Sequence, residues 1–185
     1  MAVTTLILPG LQSSGPEHWQ SYWERRDPSC QRVEQAEWDA PRCADWVSRL
    51  DEVVTRTAGD VALVGHSSAC AMVVHWAAAA SPDTVRRVRG ALLVAPSDPE
   101  GANFPQGPSG FAPVPMSPLP FRSTVVASEN DAYVSLEQAQ IYARAWGSDF
   151  VNAGTAGHIN SASGLGNWPE GRALLERLRE TTCVG

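Results

Sequence analysis

One serine lies at a turn whose neighbours could make it a nucleophile. Ser67 follows the apolar residues 61–64 and precedes the small and apolar residues 68–76. This pattern predicts a buried strand, a sharp reversal and a buried helix. A serine at the apex exposes its hydroxyl at the carboxyl end of the strand, where a helix amino terminus favours developing negative charge. Gly65 and Ala69 are small enough for a close approach of strand and helix, although glycine is more usual where Ala69 stands.

A serine hydroxyl needs a base to take its proton, and that base needs an acid to orient it. His158 lies in the glycine-rich stretch 154–160, and Asp131 follows a predicted strand. The order Ser67, Asp131, His158 is the one that a wound α/β sheet with a serine turn produces. Asp98, which follows the preceding strand, remains an alternative acid.

Attack on a carbonyl produces an oxyanion, which needs two hydrogen-bond donors already in place, the oxyanion hole. The backbone N–H of Ser68, at the predicted helix start, can supply one. The second is expected from the loop after the first strand. Leu11 is the simplest choice for it, and its neighbour Gln12 has the same reach.

Other reactive side chains have simpler interpretations. His66, directly before Ser67, is expected to have a structural role in the turn. His75 is expected to be a hydrogen-bonded histidine of the core. His18 is either a packing partner of Trp19 at a helix start or a wall of a pocket. Cys70, one helical turn after the serine, is expected in the core.

The elements that would position these residues alternate between strand and helix, and no hairpin signal is present. This alternation predicts an α/β fold with a mainly parallel sheet and helices on both faces. Functional groups then collect at the carboxyl ends of the strands. The predicted strands are 4–8, 33–36, 61–64, 90–95, 124–128 and 149–152, and the predicted helices are 17–26, 44–58, the one after Ser67, 136–146 and 172–180.

Residues 98–122 are rich in proline and glycine, which excludes a regular helix or a central strand there. A loop of this length in a compact domain usually has a function or is disordered. Because it carries Phe104, Phe111 and Phe121, we expect it to pack on the rest of the chain.

Composition narrows the functional classes. The 185 residues carry a net charge of −6 and predict one domain, 1–185, with a full hydrophobic core. No basic cluster indicates nucleic-acid binding, and the four cysteines lack the spacing of a zinc or redox site. We find no signal peptide and no apolar run of membrane-spanning length. We expect a cytoplasmic protein without metal or cofactor.

Four segments together resemble a known family: residues 65–68, 118–121, 126–131 and 157–160. They are similar to the small serine hydrolases grouped with retinoblastoma-binding protein nine and the bacterial YdeN proteins. The resemblance implies a compact α/β-hydrolase without the large cap domain of lipases. It also implies a catalytic triad that falls on Ser67, Asp131 and His158.

The residues and the resemblance predict a cofactor-free serine hydrolase, of esterase or amidase type, acting on small acyl substrates. Ser67 would form an acyl-enzyme that water then releases. The alternative is a protein-binding module on a hydrolase fold, with the proline-rich segment as its docking surface, because fold alone does not determine function. Acyl transfer to an acceptor other than water is a third hypothesis.

Overall fold

The computed structural model describes residues 3–180. Its centre is a six-stranded sheet in which every neighbouring pair of strands is parallel, with the order β2-β1-β3-β4-β5-β6. The predicted α/β fold with a parallel sheet is therefore confirmed. The strands are β1 Thr4–Leu8, β2 Cys30–Arg32, β3 Val61–His66, β4 Val88–Val94, β5 Ser123–Ala127 and β6 Asp149–Asn152.

Helices cover both faces of this sheet, as predicted. They are α1 Trp19–Arg26, α2 Cys43–Arg56, α3 Ser68–Ala79, α4 Pro82–Val85, α5 Leu136–Trp146 and α6 Pro169–Arg179, with a 3₁₀ turn at Ser161–Ser163. Side chains alternate between the faces along each strand. Leu6 and Leu8 join the core under α2, α3 and α5, whereas Ile7 joins the core under α1 and α6.

The second strand is the one element that we predicted in the wrong place. It spans Cys30–Arg32 rather than 33–36, because its pairing with β1 runs from Thr5↔Cys30 to Ile7↔Arg32. Val33 still donates its N–H to the carbonyl of Ile7 and is buried. The apolar side chain of Val33 therefore placed the predicted strand just after the end of β2. The short α4 and the 3₁₀ turn were not predicted.

The proline-rich connection between β4 and β5 contains no helix or strand within its described residues, yet it is packed. Phe111 is buried, and Phe104 and Phe121 pack against the core. The ring of His75 hydrogen-bonds the carbonyl of Phe111 at 3.0 Å, and the indole of Trp146 donates to the carbonyl of Pro115. The phenylalanines are therefore used inside the fold, which weakens the hypothesis of a docking surface.

Within residues 3–180, no helix is both long enough and apolar enough to span a membrane. Cys183 lies outside the described residues.

Candidate active site

Ser67 lies at a strained turn between β3 and α3. Its backbone has φ 59° and ψ −126°, a positive φ that non-glycine residues rarely adopt and that often marks functional positions. The N–H of Ser67 donates to the carbonyl of Val94, which ties the turn to β4. A Cβ built on Gly65 would lie 3.5 Å from backbone atoms of Ala69. This distance is an ordinary van der Waals contact, so strand and helix lie close together at the turn, but a single β-carbon at position 65 would still fit.

The structure brings Ser67, Asp131 and His158 together. Nδ1 of His158 lies 2.9 Å from both carboxylate oxygens of Asp131, and its Nε2 lies 2.9 Å from Oγ of Ser67. A carboxylate can only accept, so Nδ1 carries the ring proton and Nε2 of the neutral ring is an acceptor. The hydroxyl of Ser67 therefore donates to Nε2. This arrangement can remove the serine proton as the oxygen attacks.

Asp98, the alternative acid, lies elsewhere in the network. Its carboxylate accepts from the hydroxyl of Tyr142 at 3.0 Å and from the N–H of Glu100. Burial and the nearby Asp98 raise the pKa of Tyr142 above its ordinary value. Of the two carboxylates, only Asp131 contacts His158.

Two loops that carry the acid and the histidine are tied to each other. The hydroxyl of Ser128, at the end of β5, donates to the carbonyl of Gly154 and accepts from the N–H of Ala156. The side-chain oxygen of Asn130 accepts from the N–H of Gly157. The loop after β5 and the loop after β6 therefore form one hydrogen-bonded unit, which holds Asp131 and His158 in register.

Aromatic rings hold the imidazole of His158 on two sides. The centroids of Tyr133 and His66 lie 4.6 and 4.9 Å from that of His158. Nε2 of His66 is 2.9 Å from the backbone carbonyl of His158, and the indole of Trp19 donates to the carbonyl of Ile159. Since a carbonyl can only accept, Nε2 of His66 is the protonated nitrogen. His66, directly before Ser67, therefore positions the loop that carries His158, which is a structural role in the turn.

His18 satisfies both of its predicted interpretations. Its Nδ1 accepts from the N–H of Gln20 and caps α1, and its ring packs on Trp19 and His66. It also lines the cavity in front of Ser67. Burial, followed by the charge of Arg32, lowers the pKa of His18 to about 4. Burial also lowers the pKa of His66 well below its ordinary value.

We expect acid to destabilise the fold through these rings. In the unfolded chain His18 has its ordinary pKa and binds a proton below about pH 6.5, whereas the folded chain resists that proton down to about pH 4. Stability is therefore lost as the pH falls through this window. The contribution of His18 to the loss between pH 7.5 and pH 5 is roughly 2 kcal/mol. Urea unfolding at both pH values should show a smaller loss for His18→Gln, and an equal loss would contradict this account.

The two donors predicted for a carbonyl oxygen border the same cavity. Ser68 is the first residue of α3, so its N–H has no acceptor within the helix. Gln12 donates its N–H to the carbonyl of Trp38 at 2.9 Å. Within residues 3–180, the N–H of Leu11 has no such acceptor. The geometry therefore favours Leu11 over Gln12 as the second donor.

The loop after β1 comes close to Ser67 at Gly10, where there is no room for a side chain. A Cβ at Gly10 would lie 2.8 Å from Cβ of Ser67 and 2.9 Å from the carbonyl oxygen of His66. We expect Gly10→Ala to displace the serine and to lower kcat about a hundredfold, since misplacement by about 1 Å has effects of this size. Gly15→Ala is the matched control, because a Cβ there meets nothing within 4 Å. Ester hydrolysis by both variants, with melting curves, tests this; unchanged kcat in Gly10→Ala would contradict it.

A cavity of about 530 Å³ opens in front of Ser67. Its walls are about equally polar and apolar: Gln12, Ser13, Asp39, Asn160 and Ser161 are among the polar residues, and Leu11, Pro105, Tyr133 and Ala162 are among the apolar ones. Asp39 is exposed, and among residues 3–180 no arginine lines the cavity.

Ser97 is the functional candidate that we did not predict. Its hydroxyl oxygen lies 2.7 Å from Oγ of Ser67, and its side chain is buried. It follows the end of β4, the strand next to β3. Its place at the carboxyl edge of the sheet was the available signal, because polar residues there tend to face a site.

Two remaining candidates have structural roles, as expected. Cys70 is fully buried, and burial raises the pKa of its thiol well above the ordinary value. His75 holds the carbonyl of Phe111, away from the serine. Among residues 3–180, no group of three or more histidine, cysteine or acidic side chains has an arrangement that could hold a metal ion.

Comparison with known protein families shows to which family the chain belongs. A family described as serine hydrolase matches residues 5–177 of the chain. The chain belongs to this family. A protein described as a YdeN-like hydrolase from Pectobacterium atrosepticum is 35% identical, with a TM-score of 0.81 over 96% of this chain and 89% of that one. The predicted resemblance of this serine hydrolase to the YdeN proteins is therefore confirmed.

More distant structures share the fold of this serine hydrolase. The ydeN gene product of B. subtilis is 17% identical, with a TM-score of 0.72 over 96% of this chain and 98% of that one. Est1E from Butyrivibrio proteoclasticus is 12% identical, with a TM-score of 0.68 over 97% of this chain and 89% of that one. A search of curated protein sequences found no match.

Proposed function

We propose that this hydrolase cleaves ester or amide bonds of small acyl substrates through a covalent intermediate on Ser67. The observation that carries the proposal is the continuous chain of hydrogen bonds from Asp131 through His158 to the hydroxyl of Ser67, each 2.9 Å long. Serine alone is a weak nucleophile, and this chain supplies both the base and the group that orients it.

In the proposed reaction, Oγ of Ser67 attacks the carbonyl carbon and its proton passes to Nε2 of His158. The buried carboxylate of Asp131 stabilises the imidazolium that forms; its side chain is 0% exposed. The carbonyl oxygen becomes negative and accepts from the N–H groups of Leu11 and Ser68. The imidazolium then protonates the leaving alcohol or amine, and the bond to the leaving group breaks.

Hydrolysis of the acyl-enzyme repeats these steps with water as the nucleophile. Nε2 of His158 takes a proton from water, and the water oxygen attacks the acyl carbon. Breakdown of the resulting intermediate releases the acid and restores the hydroxyl of Ser67. The cavity of about 530 Å³ has the size of a small-molecule site, which supports short acyl groups as substrates.

A fluorophosphonate probe tests the proposal, because it reacts with serines activated in this way. We expect one probe molecule per wild-type chain and loss of labelling in Ser67→Ala. Ser128→Ala would be a poor control, since that hydroxyl ties the loops that hold Asp131 and His158. Ser123→Ala is better, because Ser123 lies at the opposite end of β5 and bonds Ser148. Equal labelling of wild type and Ser67→Ala would refute the proposal.

A further inference from the structure

The contact between Ser97 and Ser67 joins two hydroxyls, and either could be the donor from distance alone. Their oxygens are 2.7 Å apart, and Ser97 is 4% exposed. The other contacts of Ser67 settle the direction. Nδ1 of His158 donates to Asp131, so Nε2 of the neutral ring must receive the single hydroxyl proton of Ser67. The proton of the 2.7 Å contact therefore comes from Ser97.

We propose that Ser97 is a further catalytic residue, whose hydroxyl donates to Oγ of Ser67 and assists its departure from the acyl-enzyme. This inference rests on the proposed function. In that step the bond between the acyl carbon and Oγ breaks, and Oγ keeps the electron pair. It takes the proton that Nε2 of His158 received from water. The hydroxyl of Ser97 donates to the negative charge that develops on Oγ before this proton arrives.

The effect of this donor differs between the two halves of the reaction. A group accelerates a step only if it binds the transition state more tightly than the ground state. The ester oxygen of an acyl-enzyme is a weak acceptor, and it becomes a strong one as negative charge develops on it. In acylation the free hydroxyl of Ser67 is already a good acceptor, so less is gained. Ser97 should therefore accelerate deacylation more than acylation.

The test separates the two rate constants with p-nitrophenyl acetate as probe. Stopped-flow release of p-nitrophenol gives the acylation rate from the burst and the deacylation rate from the steady phase. For Ser97→Ala we expect deacylation to fall about tenfold or more, the size expected for a hydrogen bond to a charged group. Acylation should fall by less than about threefold. Quenched samples should then contain more acyl-enzyme by intact mass.

Two further variants distinguish catalysis from packing. Ser97→Thr keeps the hydroxyl and should restore the ratio of the two rate constants, while Ser97→Cys keeps the size with a weaker donor and should lie between. The matched control is Ser123→Ala, which removes a buried hydroxyl bonded to Ser148 at 2.6 Å, at the other end of the sheet. Ser123→Ala should lower the stability of the fold without changing the ratio of the deacylation and acylation rate constants.

The outcomes separate this inference from the proposed function. If wild type acylates on Ser67 and both Ser97→Ala and Ser97→Cys keep the wild-type ratio, the role of Ser97 is refuted and the proposed function stands. An equal fall in both rate constants also refutes it, because a structural effect acts on both steps. If wild type never acylates on Ser67, the proposed function fails and the inference fails with it.

Discussion

Replacing His158 by glutamine is expected to lower kcat for a short-chain ester by at least about a thousandfold, since removal of a triad base has effects of this size or larger. A glutamine amide can hydrogen-bond but cannot take the proton of Ser67 and return it to the leaving group. The imidazole is only 11% exposed and packs against Tyr133 and His66, so the change also removes ring contacts and can lower stability. Steady-state hydrolysis and a melting curve on the same sample separate lost chemistry from lost folding.

His75→Gln is the matched control for this variant. His75 lies on α3 and its ring bonds the carbonyl of Phe111 rather than Ser67. We expect its kcat to stay within about threefold of wild type, with at most a loss of stability of about 1 kcal/mol for the hydrogen bond. Equal kcat in His158→Gln and wild type would contradict the role of His158 as the base.

Replacing Asp131 by asparagine is expected to lower kcat roughly 10⁴-fold, as the loss of the correct histidine tautomer does elsewhere. The orientation of the asparagine amide is set by Tyr133, whose N–H donates to Oδ1 of Asp131 at 2.9 Å. In the variant, the amide oxygen takes that position and the amide nitrogen faces Nδ1 of His158. The amide nitrogen is a donor at 2.9 Å from Nδ1, which disfavours a proton on Nδ1 and favours the tautomer with the proton on Nε2. In that tautomer Nε2 can no longer accept from Ser67.

Asp98→Asn provides the comparison, because Asp98 was the other acid that the chain order allowed. Its carboxylate bonds Tyr142 and the N–H of Glu100 rather than a histidine. We expect kcat within about tenfold of wild type and a modest loss of stability. Steady-state kinetics of both variants would decide the assignment, and a larger loss in Asp98→Asn would reverse it.

The parts of the fold that were predictable are those with strong local signals. The apolar strands β1, β3, β4 and β5 and the periodic helix α5 were recognised because burial on both faces or on one helix face leaves a clear pattern. The second strand was misplaced because Cys30–Arg32 pairs through its backbone on one side only, at the edge of the sheet. Its sequence carries little apolar signal.

The site was predictable where residue type and chain order are informative. Ser67 and His158 could be chosen from the sequence because the chemistry demands these residue types and a wound α/β sheet places them in this order at strand ends, whereas the order alone left both Asp131 and Asp98 open as the acid. Ser97 carried only the weaker signal of its place after β4, because a serine after a proline is common in loops, and its contact with the hydroxyl of Ser67 is seen only in the structure. The low pKa of His18 was equally hidden, because it depends on burial and on Arg32, 14 positions away in the chain.

The identity of the acylated residue tests the central claim most directly. Wild-type protein would be mixed with p-nitrophenyl acetate, quenched in acid within milliseconds and digested, and the peptides analysed by fragment mass spectrometry. The account predicts one acetyl group on Ser67, absent from Ser67→Ala. An acetyl group on another residue with Ser67 unmodified, in protein that turns the ester over, would contradict it.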